Sequence, residues 1–235
     1  MWRSSSSKIA YLVETFPQPE NSPITQEILD LEHQGLSLHI FSLRLPNQQS
    51  SFAAACQVQS PVTYIPSMLP SHIPEDEDEL MGAHVDLLRC NSQGHFKALD
   101  IYLKRPEGKQ LNELLQAGYM ALQLQRQGIS HVHTACEYVS TATIELIHHI
   151  CGATFSLTAE QTDLHQIDPQ ILARRITPAT FIFTSTANAC SYLQEIVMTP
   201  PPIYVEVDPQ EKAIAFFESG VLTPSSSPQF SPTSW

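Results

Sequence analysis

The stretch KIAYLVETFPQPENSPITQEILDLEHQGLSLHIFSLRLP, residues Lys8 to Pro46, decides the fold. Ile9 to Val13 is a short apolar run of the kind that helices cover on both faces, the mark of a parallel strand. Ser22 is a helix-capping residue, and Pro23 suits a first turn, where a missing N–H costs nothing. Ile24, Ile28 and Leu31 then fall on one helical face, and Gly35 can take the left-handed stop. Leu36 to Leu43 returns to strand chemistry. Strand, loop, helix and strand in this order open a parallel α/β domain. Ligands of such sheets sit beyond the carboxyl ends of the strands, so the loop Glu14 to Asn21 is the first place to look for function.

The same phrase recurs downstream. Leu111, Leu114, Leu115, Gly118 and Leu122 mark a helical stripe that stops at Gly128 before a strand over Ile129 to His133. Val139, Ala142, Leu146, Ile147 and Ile150 mark another, stopping at Gly152 before Ala153 to Thr158. Phe181 to Thr184 and Ile203 to Val207 supply later strands, with helical segments over Ile171 to Ile176 and Ala187 to Ile196. Three glycine-closed units predict a single Rossmann-like α/β domain with a mainly parallel sheet and crossover helices.

Residues 44 to 80 interrupt the pattern with five prolines and the acidic run EDEDE, Glu75 to Glu79. Pro61 to Ile65 reads as a short strand, and the acidic run as a solvated loop or a helix start. Calcium loops interleave their ligands with glycine, which this run does not. From Ser219 onward the chain is Ser/Pro-rich with little to bury. The expected division is a frayed N-terminus over 1–7, one domain over 8–217, and a disordered tail over 218–235.

Composition narrows the partners. The chain has 235 residues, and 12 Lys plus Arg against 24 Asp plus Glu gives a net charge of −12. Nucleic acid and anionic lipid both need a cationic face, so neither is an expected partner. Five scattered cysteines without a CxxC pair imply neither a disulfide framework nor a zinc ribbon. No apolar stretch reaches the roughly 18 residues of a membrane helix. A cytoplasmic chain is expected, with peripheral contact at the inner membrane face left open. GxGxxG and GxxxxGK[ST] are both absent, and only eight glycines occur, so no cofactor is expected.

The opening residues resemble a known family. Phe16-Pro17, the helix Ile24-Thr25-Gln26-Glu27-Ile28 with Leu31 and Gly35, and the strand His39 to Arg44 are similar to the start of the family 4 glycosyltransferases of the exopolysaccharide or colanic-acid type. The resemblance continues through His131-Val132-His133, through Thr158 to Asp163 (the T-A-H-x-x-D loop), and through Thr184 to Leu193 to about Phe217. It implies the acceptor-side half of a GT-B architecture, whose other half holds a nucleotide sugar and transfers it with retention. The implied partners are a glycan or lipid-linked sugar acceptor and a separate donor-binding domain. Only 18 residues follow Phe217, too few for that second half, so activity by this chain alone is not expected.

The candidate acceptor-binding residues are Thr15, Phe16, Asn21, Ser22, His133, Thr158, Glu160 and Asp163. No residue is assigned as catalytic and none as a metal ligand. His133 points into the crevice if it ends its strand, and is otherwise a core histidine. Its neighbours His131, Cys136, His148, His149 and Cys151 lack the spacing of a zinc motif, and a Cys136–His133 nucleophilic pair is equally unsupported. Three departures bear on chemistry. Glu20-Asn21-Ser22-Pro23 stands where the family has Ser-Glu-Thr-Phe, Glu160 replaces the loop histidine, and Ala187-Asn188-Ala189 replaces Glu-Tyr-Asn. A carboxylate can accept from a sugar hydroxyl but does not substitute for an imidazole. A non-catalytic module that recognises a glycan or a partner glycosyltransferase is therefore the second reading.

Overall fold

The computed structural model describes residues 8–19, 22–46, 55–68, 74–108 and 110–222. Seven strands form one sheet, all parallel: β1 (Ile9–Thr15), β2 (Leu38–Arg44), β3 (Val62–Tyr64), β4 (His131–Ala135), β5 (Thr154–Ala159), β6 (Phe181–Thr184) and β7 (Ile203–Val205). Their order is β3-β2-β1-β4-β5-β6-β7, the doubly wound Rossmann-like arrangement. The helices are α1 (Pro23–His33), α2 (Pro74–Cys90), α3 (Ser92–Lys104), α4 (Leu111–Gln127), α5 (Tyr138–Cys151), α6 (Gln161–Leu164), α7 (Pro169–Ile176), α8 (Ala187–Ile196) and α9 (Pro209–Glu218).

Alternation along the strands divides the core into two layers. Ala10, Leu12, Phe41, Leu43, Val132, Phe155, Leu157 and Ile182 face the layer packed with residues of α2 to α5, α7 and α8. Ile9, Tyr11, Val13, Leu38, Ile40, Phe181 and Phe183 face the other, under Ile28 and Leu31 of α1 and Phe216 of α9. Successive side chains point to opposite faces, so each strand contributes to both layers. The second layer is rich in aromatic rings: Phe181, Phe183, Tyr204 and Phe216 contact one another edge-on or tilted.

Two strands start later than their apolar runs predict, for a common reason. Gly35 and Gly128 adopt left-handed backbone, and the next residue folds back onto the helix it closes. Leu36 N–H bonds Leu31 O, and Ile129 N–H bonds Leu124 O. Leu36 and Ile129 thereby finish helices rather than begin strands. Ser22 occupies the expected N-cap position, but its hydroxyl donates to Gln18 Oε1 instead of accepting from the helix.

The acidic run is a helix start: Glu75, Asp76 and Glu77 fill the first turn of α2, where carboxylates meet the positive end of the helix dipole. Helix α3 was not legible as a helix. It crosses α5 so closely that a Cβ on Gly94 would lie 2.1 Å from Ile150 O. A buried ion network joins these helices. Arg105 meets Glu113 at 3.1 Å and Glu145 at 2.7 Å, and Arg175 meets Glu107 at 3.0 Å. Arg174 bridges Glu107 and Glu145.

The expected domain boundary needs correction. Helix α9 runs to Glu218, and Leu222, 6% exposed, packs in the second layer with its N–H on Phe216 O. The folded chain therefore reaches Leu222, five residues past the boundary expected from composition. The remaining expectations for the tails, over 1–7 and from residue 223 on, lie outside the described residues.

Candidate functional site

The order of the strands reverses between β1 and β4, and a cleft opens above their carboxyl ends. Its volume is about 440 Å³. Gln18 and Ser22 reach it from the β1–α1 loop, Glu27 and Asp30 from α1, and Ala135 and Glu137 from the end of β4. Thr158, Glu160, Thr162 and Asp163 come from the β5–α6 turn, and Lys212 from α9. A smaller recess of 230 Å³ adjoins it, sharing Thr158, Glu160 and Lys212 and adding Thr184, Ser185 and Glu206. Glu206 has a φ of 53°, a left-handed conformation that costs a branched or bulky residue roughly 1–2 kcal/mol. Its N–H is held by Thr184 O at 2.9 Å.

Glu27 is the centre of the floor. Its carboxylate accepts from Tyr11 Oη at 2.5 Å, Thr158 Oγ1 at 2.6 Å and Lys212 Nζ at 2.5 Å. His133 Nε2 lies 3.7 Å away, beyond hydrogen-bond reach but close enough to act through charge. Burial would raise the Glu27 carboxyl, but His133 and Lys212 outweigh it and hold the group well below the usual carboxylate range. Burial, reinforced by the facing Glu27 charge, pushes the Tyr11 phenol well above its ordinary value. Tyr11 therefore stays a donor.

Beneath Glu27 a polar seam runs through the aromatic layer. His131 contacts Thr154 Oγ1 and Ser156 Oγ, each at 2.8 Å. His133 contacts Ser156 Oγ at 2.7 Å and Thr158 Oγ1 at 3.1 Å. These side chains share one face because the pairs His131–Thr154, His133–Ser156 and Ala135–Thr158 are in register. Proton order follows from Glu27. An ionised carboxylate only accepts, so the single Thr158 proton goes to Glu27, and the Thr158 oxygen accepts from His133 Nε2–H. Burial and the neighbouring His133 lower His131 to about 3, so that ring is neutral at pH 7.

The candidate residues divide cleanly. Ser22, Thr158, Glu160 and Asp163 line the cleft. Thr15 pairs with Arg44 across β1 and β2 and is not among the lining residues. Phe16 is 3% exposed, packs in the second layer, and donates its N–H to Ser42 Oγ at 2.9 Å; the Phe16-Pro17 bond is cis. Asn21 lies outside the described residues. His133 sits in the middle of β4 with no exposed surface, and its ring contacts the hydroxyls of Ser156 and Thr158 rather than lining the cleft. Cys136 is buried, and burial pushes its thiol up to about 12, which removes it as a nucleophile. Among the described residues, no group of three His, Cys, Asp or Glu side chains is placed to hold a metal, and no helix is long and apolar enough to cross a membrane.

Glu27 and Lys212 are the residues that sequence reasoning missed. Glu27 carried a signal: three positions after Ile24 and four before Leu31, it falls on the apolar face of α1 and needs a partner there. Lys212 carried none, being 185 residues away from Glu27.

No protein family and no curated protein matches this chain in sequence. Solved structures do match in fold. Sucrose-phosphate synthase from Thermosynechococcus elongatus aligns over 90% of this chain and 96% of its own, at 10% identity and a TM-score of 0.52. UGT2 of Phytolacca americana aligns over 86% of this chain at 11% identity and a TM-score of 0.45. A second UGT2 structure, complexed with UDP-2-fluoro-glucose and pterostilbene, gives 13% identity over 86% of this chain, with a TM-score of 0.45. The chain spans about half of UGT2, 51% and 54% in the two structures. The likeness to the sucrose-phosphate synthase structure shows a shared Rossmann-like fold.

Proposed function

We propose that this chain is glycosyltransferase-like and forms the acceptor-binding half of a GT-B arrangement, of the exopolysaccharide family 4 kind that its opening unit resembles. The observation that carries the reading is the open polar cleft at the strand-order reversal, walled by the Thr158–Asp163 turn and floored by Glu27 with Lys212. Ser22, Thr158, Glu160 and Asp163 bind the acceptor; Glu27 holds Thr158 and Lys212 in place. Sugar transfer requires a nucleotide sugar presented from a facing domain, because donor and acceptor must be held in register. The chain alone binds an acceptor and does not turn over. A purely recognising module is the second reading, favoured by Glu160 standing where the resembled family has a histidine.

The test is amide NMR of the labelled chain titrated with monosaccharides and, separately, with UDP-glucose. Monosaccharides are expected to shift the amides of Thr158 to Asp163, and UDP-glucose to add nothing beyond its sugar. Tight UDP-glucose binding at this cleft would place the donor here and overturn the assignment. Transfer on addition of a donor-binding partner separates the enzyme half from the recognising module.

A further inference from the structure

The cleft offers more lone pairs than protons. Ser22 Oγ donates to Gln18, Thr158 Oγ1 to Glu27, Thr162 Oγ1 to Asp163, and Ser185 Oγ to Glu160. Each of these hydroxyls has spent its one hydrogen on the protein, leaving an oxygen that only accepts. The carboxylates of Glu27, Asp30, Glu137, Glu160 and Asp163 add further acceptors and negative charge. Among the described residues, Lys212 is the one lysine or arginine lining either space, and its ammonium is bound to Glu27 at 2.5 Å. An independent observation points to a ligand in the adjoining recess. Thr184 is 3% exposed, lines that recess, and its Oγ1 finds no partner among the described residues. A buried hydroxyl without a partner is destabilising, and a ligand group that bonds it relieves the cost.

We infer that the acceptor taken by this cleft is a neutral or cationic sugar rich in hydrogen-bond donors, with an amino sugar preferred, and not a phosphate- or carboxylate-bearing one. This rests on the acceptor-half reading and deepens it, because it names the charge class of the acceptor. An ammonium brings three donors and a positive charge to a site with an excess of both acceptors and negative charge. A phosphate brings almost only acceptors, and its charge is repelled by the carboxylates of the cleft. Glu137 and Asp163 register the crowding. Burial raises both carboxyls, and neighbouring carboxylates, Glu14 for the first and Glu160 for the second, raise them further.

The experiment titrates the full labelled chain with glucosamine, glucose and glucose 6-phosphate at low ionic strength, reading amide shifts at Thr158 to Asp163 and Thr184. Glucosamine is expected to bind at least about tenfold more tightly than glucose 6-phosphate, with glucose between, and added salt to narrow the gap. Glu160→Gln is expected to weaken glucosamine more than glucose and so narrow the gap between them. Glucose 6-phosphate binding at this cleft as tightly as glucosamine overturns the charge inference and leaves the sugar-binding reading standing. Absence of cleft shifts with all three sugars overturns both.

Discussion

Lys212 Nζ lies 2.5 Å from Glu27 Oε1, so a salt bridge between residues 185 positions apart ties α9 to α1 across the cleft floor. Glu27 is 7% exposed in its side chain and Lys212 21%, so the bond is partly dry. The bridge belongs to the geometry of the site: without it the carboxylate that orients Thr158 loses its compensating charge.

Lys212→Met is expected to destabilise the chain by about 1–3 kcal/mol, because a buried carboxylate loses its charged partner while Tyr11 and Thr158 remain. Glu27→Gln together with Lys212→Met is expected to cost less than the sum of the single changes. Urea unfolding of the four proteins measures the coupling. Strict additivity sinks the idea that the pair acts as a unit.

The seam of hydroxyls and imidazoles makes a spectroscopic prediction. If Thr158 donates to Glu27, His133 carries a proton on Nε2; where that is its only proton, its Nδ1 accepts from Ser156. Ser156 in turn accepts from His131, which also carries its proton on Nε2. Long-range proton–nitrogen correlation spectra distinguish the ring nitrogens directly. A proton on Nδ1 of His131 reverses the order at Ser156 and refutes the chain of donors.

Acid stability follows from His131. Its folded value, lowered to about 3 by burial and by His133, lies below the ordinary histidine value near 6.5. Between those two values the unfolded chain binds a proton that the folded chain refuses, so stability rises with pH there. The contribution is complete above about pH 6.5 and declines as pH falls toward 3. Burial acts in the same direction on His39, His84, His95 and His149. Thermal unfolding followed between pH 7 and 4 is expected to show a falling midpoint, and His131→Gln a shallower fall.

Two helical glycines are expected to respond oppositely to alanine. Gly82 has nothing within 4 Å of an added Cβ and is exposed, so Gly82→Ala stabilises α2 by about 0.5–1 kcal/mol. Gly94→Ala drives a methyl to 2.1 Å from a backbone carbonyl of α5 and costs about 1–3 kcal/mol despite the better propensity. Denaturant midpoints of the two variants decide it; equal shifts contradict the close crossing.

Much of the fold was legible because its signals are local. Apolar period, a left-handed glycine and a proline at the first turn specify α1 and its two strands without reference to anything distant. Helix α3 was not legible because His95 and a glycine replace part of its apolar stripe, and both are explained only by neighbours on other helices. His95 pairs with His84 at 2.8 Å, and Gly94 faces α5. The candidate site was half legible for the same reason. The Thr158–Asp163 turn lies where a strand ends, which sequence locates. The depth of His133 depends on where β4 begins, and that is set by how Gly128 closes the preceding helix. Lys212 depends on the path of the chain after β7, which no local pattern encodes.

Because β1 sits between β2 and β4, and its covering helix is neutralised from α9, the β1–α1–β2 unit is completed only by distant segments. A nascent chain that stops short of Pro209 carries Glu27 over a hydrophobic sheet with no cation to meet it. The buried floor of the cleft is therefore complete only when α1 and α9 are both in place.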